Sequence, residues 1–396
     1  MYSWGCVIMA AERRAVGVAF AVNGMVTGTF ASRLPWIADR LHLSSGMLGL
    51  VGLTTSIGAL ATMPFAAQFV HRYGPKAATR LLIAASSLAL ALPAFAPDLL
   101  ALAVVMLLFG ALIGINDNAM NAQAVEAEQR ARGSIMSGLH GLWSVGVLAG
   151  ALIGSASAHA GLDPRVQFTG VAVVAAAAGV VASFWFAGQA PSGAAAEVEV
   201  PRFAWPHGTL LLIGLVGFAS VFVEFAANDW SAVFMHWILH TSQAEAATAT
   251  GVFAGSMAAG RLCGDALVRR FGAAWSVRAC GILGTAGCLL VAITPDAVLA
   301  LIGFLLIGLG VSVVVPLVFA AAGRSGPSAA IGVAGVATVS YGAGMAAPSV
   351  MGGVSDLSSL RIAFAVSALL AASIAAGAGL LGRQPAAGPV AVRQDA

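Results

Sequence analysis

The sequence predicts an all-α integral membrane protein in which twelve transmembrane helices form two pseudo-symmetric bundles of six. Three observations predict this fold class. Only 9% of the 396 residues are charged, 59% are apolar and the mean hydropathy is +0.93, whereas soluble domains carry about 25% charged residues. Apolar stretches of about 20 residues, long enough to cross a hydrocarbon core as helices, recur along the whole chain. The third observation is that the two halves of the chain repeat each other.

The apolar stretches place the helices in order along the chain. A transmembrane barrel would show alternating segments of about ten residues, and the sequence has long Ala/Leu/Val/Gly blocks instead. The predicted spans are residues 15–37, 46–70, 77–96, 98–125, 134–158, 166–187, 208–238, 246–268, 275–294, 297–322, 329–354 and 361–382. A polar stretch then divides the chain into a first bundle at 1–187, a cytoplasmic linker at 188–207, a second bundle at 208–382 and a cytoplasmic tail at 383–396.

Short motifs recur at a constant offset of 198 residues, which indicates an internal repeat. Because the offset holds across four helices and a basic loop, biased composition does not explain it. Parallel six-helix repeats are typical of transporters in which one half rocks against the other around a site near the bilayer midplane. The matching pairs are Leu41-His42 with Leu239-His240, Arg72-Tyr73-Gly74 with Arg270-Phe271-Gly272, Asp98 with Asp296, Gly110 with Gly308, Gly146 with Gly344, and Gly154 with Gly352.

The basic residues predict the orientation of the chain. With the N-terminus inside, 14 of them fall in cytoplasmic segments and 4 in outer segments, as the positive-inside rule requires. Both termini are therefore expected in the cytoplasm. One lysine against 18 arginines is a bias common in GC-rich bacterial genes. We expect a multi-pass protein of the bacterial inner membrane, with the first apolar stretch as a span and not a cleaved signal.

What the sequence lacks argues against several function classes. There is no Walker motif for ATP-driven transport and no HExxH or catalytic GxSxG motif, so neither an ATPase nor an enzyme is predicted. The net charge of +3 gives no reason to expect nucleic acid as a partner. No cofactor, metal or disulfide is predicted, because the cysteines lack CxxC spacing; they are Cys6, Cys263, Cys280 and Cys288. The expected partners are a small solute, protons and the lipid bilayer, and the expected state is a monomer.

Two stretches resemble a known family. The loop after the second helix offers Ala67, His71-Arg72, Gly74 and Lys76, and its second copy offers Arg269-Arg270 and Gly272. This pattern is similar to the loop signature of the major facilitator superfamily, although both copies lack the usual Asp. Helix four contains the run Asn116 to Gln123, with Asp117 four residues before Asn121, and resembles the fucose-permease subgroup. Leu34-Pro35 resembles that subgroup too, whereas Ala31 stands where the subgroup carries an acid in helix one.

Polar side chains inside predicted spans are the candidate site, because a charge at the midplane costs several kcal/mol. Asp117 and Glu224 are the candidate proton-coupling residues, and a carboxyl such as Asp117 could take up a proton on one side and release it on the other. Each candidate also has a purely structural reading, such as polar contact between helices or aromatic packing. The candidate solute-binding residues are Asn23, Asn121, His140, Trp143, Asn228 and Tyr341. Trp143 and Tyr341 are 198 residues apart and suit a ring-shaped solute.

Three further groups of charges have predicted partners. Arg33 and Asp229 are expected to pair as an outer gate when the outside is closed. Arg261 and Asp265 are one turn apart, which favours a local ion pair. The charge run after helix four is expected to be either solvated or an inner gate across the halves; it comprises Glu126, Glu128, Arg130 and Arg132.

The function that the resemblance and the polar residues predict is secondary active transport of a small solute by alternating access, coupled to protons. Uptake of a sugar-like solute is one version. The alternative is a proton-driven exporter of a drug or metabolite with the same fold, although helix five lacks the proline that a Gly-Pro exporter signature would supply. A non-transporting membrane sensor and a membrane-embedded enzyme are the more remote readings.

Overall fold

The computed structural model describes residues 2–131, 135–186, 206–325 and 329–382, and these residues are almost entirely helical. This confirms the predicted all-helical membrane class. Short 3-10 turns at Leu92–Phe95 and Ala378–Leu380 follow the fourth and the last helix. The α-helices are α1 Tyr2–Ser32, α2 Leu34–Arg40, α3 Ser45–Tyr73, α4 Pro75–Ala89, α5 Leu99–Ala131, α6 Met136–His159, α7 Pro164–Ser183, α8 Thr209–Ile238, α9 Gln243–Phe271, α10 Ala273–Ile293, α11 Ala297–Val311, α12 Val314–Ser325, α13 Ala329–Leu357 and α14 Leu360–Gly377.

Within the described part of the chain, eleven helical segments are long and apolar enough to cross a membrane. The remaining predicted span, at 246–268, corresponds to α9, which has 29 residues. It is less apolar because it is rich in Ala, Gly and Thr and contains Glu245, Arg261 and Asp265. Since α9 packs against α6, α8 and α11, protein neighbours surround much of its surface.

Prolines divide two of the predicted spans. The first span is α1 followed by α2, with Pro35 in the first turn of α2. The tenth span is α11 followed by α12, with Pro316 in the first turn of α12. Proline lacks an N–H donor, so it fits the first turn of a new helix better than the interior of one long helix. The predicted single helices at 15–37 and 297–322 were wrong in this detail, and α1 also begins earlier than predicted.

The internal repeat is visible in the backbone. His42 has a φ of 51° and His240 a φ of 53°, and the glycines after α3 and α9 have φ of 75° and 80°. Non-glycine residues rarely adopt positive φ, so this conformation at two positions 198 residues apart reflects one turn used twice. The bounds of α3 and α9 are related by the same offset. The two bundles are therefore pseudo-symmetric.

Close helix packing also repeats between the halves. A Cβ atom on Gly110 of α5 would collide with the carbonyl oxygen of Thr55 on α3. A Cβ on Gly308 of α11 would likewise collide with the carbonyl oxygen of Phe253 on α9. Small residues let transmembrane backbones approach closely, which explains glycine at both positions. The proposed division of the chain at the 188–207 linker stays a prediction, because residues 187–205 and 383–396 lie outside the described ranges.

Candidate functional site

The two halves meet where α3 contacts α13, where α6 contacts α9, where the α1–α2 segment contacts α8, and where α1 contacts α9. The two ends of the bundle carry different sets of turns. The far end carries the turns at 41–44, 96–98, 159–163, 239–242, 294–296 and 358–359, and the basic end carries the turns at 74 and 272. Hydrogen bonds join the far-end turns to one another, as between Arg40 and the carbonyl of Ala96 at 2.8 Å.

Direct contacts close the far end between α3 and α13. The Ser44 hydroxyl donates to the Asp356 carboxylate at 2.8 Å, and the Ser355 hydroxyl donates to Ser45 at 2.8 Å. Deeper in the interface, a Cβ on Gly49 would lie 2.6 Å from the carbonyl oxygen of Pro348. Backbones this close leave no room for solute or water, so the structure is closed at the far end.

Asp39 forms a second far-end contact between the halves. Its carboxylate at the end of α2 lies 2.9 Å from the Nε2 atom of His236 and accepts a 2.9 Å hydrogen bond from the indole N–H of Trp237. The amide of Gln243 also donates to it at 3.1 Å. Three side chains of the second half therefore converge on one carboxylate of the first half. The sequence analysis did not identify this cluster, because Asp39 lies outside the apolar core of its span.

The predicted outer gate is not formed by Arg33 and Asp229, although the far end is closed. The guanidinium of Arg33 is buried and donates to the carbonyl of Leu162 within the first half. Asp229 accepts a 2.7 Å hydrogen bond from its neighbour Asn228. Arg33 lies against the α6–α7 turn and not against α8, and this orientation separates the two charges.

The predicted first-half residues surround the middle of the bundle. The indole N–H of Trp143 on α6 donates to the side-chain oxygen of Asn23 on α1 at 3.0 Å. On α5, the Asn121 amide donates to the backbone oxygen of Asp117 at 2.8 Å. The Asp117 side chain remains solvent-accessible although it lies deep among the helices. No cation lies within 4 Å of Asp117 among the described residues.

The second half approaches these residues from the opposite side. Tyr341 on α13 is 49% exposed and lies within electrostatic range of the Asp117 carboxylate. His140 on α6 is likewise solvent-accessible and lies within electrostatic range of Arg261. Accessible side chains of the two halves thus lie near one another in the middle of the bundle, while direct contacts join the halves at the far end.

Arg261 joins three helices and both halves. Its Nη2 atom lies 3.1 Å from the Oε1 atom of Glu224 on α8, and its Nη1 atom donates to the Ser144 hydroxyl on α6 at 2.8 Å. The predicted local pair with Asp265 was therefore wrong: Asp265 is exposed, and the ion pair of Arg261 is with Glu224. The four-residue spacing favoured Asp265, and only the tertiary packing of α8 against α9 shows that Glu224 is closer.

The charge run that was predicted in the loop after helix four lies in the last turns of α5, at the basic end, and does not join the halves. Arg130 forms ion pairs with Glu12 of α1 and with Glu126 one turn away. Glu128 accepts hydrogen bonds from the backbone N–H groups of Ile135 and Met136 and so caps α6. Arg132 lies outside the described residues. The predicted inner gate across the halves is not formed by the three described members of this run.

No three His, Cys, Asp or Glu side chains of the described ranges come close enough together to hold a metal ion. The candidate site consists of carboxylates, aromatic rings and amides, and the Arg261–Glu224 pair lies at its edge. These groups can bind a small polar solute through hydrogen bonds, and Asp117 can also exchange a proton.

Known proteins share this architecture and part of the sequence. The sequence profile of the Major Facilitator Superfamily matches residues 16–348. An uncharacterized MFS-type transporter of Yersinia pestis is 34% identical over 91% of this chain and 93% of its own length. An uncharacterized transporter of Sinorhizobium fredii is 31% identical over 91% of this chain and 96% of its own.

A solved structure extends the likeness to the whole fold. A mutant of the nucleoside transporter NupG superposes with a TM-score of 0.75, covering 94% of this chain and 100% of that chain at 12% identity. Identity this low shows only that the fold is shared. Together with the profile match and the two relatives, it shows that the chain is a membrane transporter and belongs to the major facilitator superfamily.

Proposed function

We propose that the chain is a secondary active transporter that moves a small, polar, ring-bearing solute by alternating access, with Asp117 as the proton-coupling group. The observation that carries the proposal is the position of Asp117. It is a solvent-accessible carboxylate with no cation within 4 Å among the described residues, it lies within electrostatic range of Tyr341 of the other half, and the halves are in direct contact at the far end. A carboxylate at the junction of two moving halves changes its hydration when they rock.

The solute class follows from the side chains around the cavity. Trp143 and Tyr341 offer one aromatic face from each half, and rings can stack on such faces. Trp143 is held in place by Asn23, while Asn121 keeps a free side-chain oxygen next to Asp117. A sugar-like solute or another hydroxylated ring fits this combination. The fucose-permease resemblance of the α5 run and the nucleoside transport named for NupG both agree with a polar ring.

The orientation of the chain decides which side of the membrane the closed far end faces. We place both termini and the basic end in the cytoplasm of a bacterial cell, from the 14-to-4 distribution of basic residues. The structure would then be closed to the outside, with the central cavity accessible from the cytoplasm. Reporter fusions after Phe186 and at the C-terminus should both report cytoplasm, and a periplasmic signal from either would reject this orientation.

The coupling assignment distinguishes Asp117 from Glu224. Glu224 forms an ion pair with Arg261 at 3.1 Å, so protonation of Glu224 would leave that partly buried guanidinium without its counter-charge, which is costly. Asp117 has no such partner among the described residues. We therefore assign the exchangeable proton to Asp117 and a structural role to the Glu224–Arg261 pair.

The solute can be identified by binding linkage. Purified protein is screened by thermal unfolding against monosaccharides, nucleosides, organic acids and amphipathic drugs, because a ligand that binds only the folded state raises the melting temperature. Hits are then tested in proteoliposomes with a pH gradient in either direction. Accumulation against the solute gradient supports the proposal, and the direction that drives it separates uptake from export. If every bound solute only equilibrates, proton-coupled transport is wrong.

A further inference from the structure

We propose that Asp39 and His236 form a proton-binding site at the far end, and that the bound proton holds the two halves together there. The site is separate from the central cavity and uses none of the residues assigned to solute or coupling. Asp39 belongs to α2 of the first half, and His236 belongs to the last turn of α8 in the second half. The proposal concerns closure of the far end, whatever solute the cavity carries.

An oxygen atom faces each nitrogen of the His236 imidazole ring. The Nδ1 atom of His236 lies 2.7 Å from the carbonyl oxygen of Thr241. The Nε2 atom lies 2.9 Å from the Oδ2 atom of Asp39. A carbonyl oxygen and an ionised carboxylate both accept hydrogen bonds, and neither can donate one. Both ring nitrogens therefore face acceptors.

A neutral imidazole cannot satisfy both contacts, because it carries only one N–H group. If the hydrogen is on Nδ1, the lone pair of Nε2 points at the Asp39 carboxylate; if it is on Nε2, the lone pair of Nδ1 points at the Thr241 carbonyl. One additional proton removes the conflict. It makes the ring an imidazolium that donates on both sides, or it makes Asp39 a donor to a neutral ring. In either case the closed pair holds one proton more than an ionised Asp39 with a neutral His236.

Gln243 does not remove the need for that proton. Its Nε2 atom lies 3.1 Å from Asp39 Oδ2 and 3.1 Å from His236 Nε2. The amide could donate to both, but the two acceptors would still face each other at 2.9 Å. Turning the amide over would place its oxygen beside the Asp39 carboxylate, so that a further pair of acceptors would face each other. The same holds for Trp237, which already donates to the other oxygen of Asp39.

The other charged groups on the neighbouring elements have partners of their own. Arg40 on α2 donates to the carbonyls of Ala94 and Ala96. Glu245 on α9 forms a capping box with Ser242. Asp356 on α13 accepts from Ser44. The proton at the Asp39–His236 pair is therefore exchanged by that pair and not by a larger charge network.

The consequence is a far end that closes more readily at low pH. When the halves separate, water satisfies His236 and Asp39 individually, and histidine loses its charge between pH 5 and 8. Because the closed state binds one proton more, the closed-to-open ratio falls as pH rises, by at most about tenfold per pH unit. Protonation on the far side would thus favour the conformation in which the cavity faces the basic end.

Spin labels can measure this closure without any solute. One label is placed on each half at exposed far-end positions, through Leu162→Cys and Leu357→Cys, after alanine replacement of the native cysteines Cys6, Cys263, Cys280 and Cys288. Distance distributions are recorded from pH 5 to pH 9 in lipid. We expect the short-distance population to fall as pH rises and His236→Gln to abolish that dependence. A pH-independent distribution in the wild-type background would overturn the proposal.

Substitutions at Asp39 separate protonation from simple loss of contact. Asp39→Asn offers an amide N–H to a neutral His236, so the far end should stay closed at alkaline pH. Asp39→Ala should open it at every pH. If Asp39→Asn opens the far end as Asp39→Ala does, the proton is not what joins the pair.

Two further checks complete the test. His240→Asn is the matched control, because this histidine lies at the same end, is exposed, and has a positive φ that Asn tolerates. It should leave the pH dependence unchanged, and loss of the dependence would overturn the assignment to His236. Backbone hydrogen exchange at the turns 41–44 and 239–242 gives the same readout with all native cysteines present. Because no solute is involved, failure of this proposal is distinguishable from failure of the transport proposal.

Discussion

The two carboxylates at the centre of the molecule differ in their partners. Glu224 in the second half lies 3.1 Å from Arg261, which also reaches Ser144 of the first half. Asp117 in the first half has no ion pair among the described residues, and Asn121 and, from the other half, Tyr341 lie near it. The first arrangement fixes a charge in place, and the second leaves a charge that can be neutralised. We therefore propose a structural role for the carboxylate of the second half and proton exchange for that of the first half.

The largest expected effect comes from breaking the fixed pair. Arg261→Met should destabilise the protein by about 3 kcal/mol, because it leaves Glu224 ionised without its partner in the interior. The double variant with Glu224→Met should recover most of that loss. Thermal unfolding in detergent measures both, and Arg269→Met, an exposed arginine on the same helix, is the control. A double variant no more stable than Arg261→Met would show that the pair does not act as a unit.

A smaller effect is expected where α3 and α13 close the far end. Gly49→Leu should shift the far end towards the open state, because its side chain has no space beside the Pro348 carbonyl. Overpacking of this kind costs about 1–3 kcal/mol. Reactivity of a far-end cysteine towards a membrane-impermeant reagent measures the shift. Gly170→Leu has open space around its Cβ position and should change nothing; equal reactivity in the two variants would contradict the predicted closure.

The smallest expected effect concerns the first-half ring. Trp143→Phe removes the 3.0 Å hydrogen bond to Asn23 but keeps an aromatic face. A hydrogen bond of this kind contributes about 1 kcal/mol, so solute affinity should fall by less than tenfold. Trp143→Ala should reduce it further, because it also removes the stacking surface. Equal affinities of the two variants would show that the ring face does not contact the solute.

The sequence predicted the fold better than the partners of its charges. Hydropathy, the 198-residue offset and the positive-inside count depend on local composition, and the helical class and the repeat followed from them directly. The helix breaks at Pro35 and Pro316 were local signals as well, but long apolar runs obscured them. The α9 span was predicted although its hydropathy is lower, and its bounds repeat those of α3 at the 198-residue offset.

Charge partners could not be predicted in the same way, since they depend on how helices rotate against one another. Asp265 was the nearest charge to Arg261 along the helix, yet Glu224 is closer in space. Arg33 and Asp229 occupy related spans, yet Arg33 points to the α6–α7 turn. The Asp39–His236 contact joins residues 197 positions apart, and nothing in their local sequences indicates it.

The most direct test of the central claim compares Asp117→Asn with Glu224→Gln in proteoliposomes, using a solute identified by the binding screen. Asp117→Asn mimics the protonated carboxyl, so it should keep solute binding and counterflow exchange but lose accumulation driven by a pH gradient. Asp265→Asn, an exposed carboxyl outside the network, should accumulate solute normally. Glu224→Gln should keep pH-driven accumulation in the protein that remains folded. Accumulation by Asp117→Asn against a solute gradient, with its loss in Glu224→Gln, would contradict the account and assign the proton to Glu224.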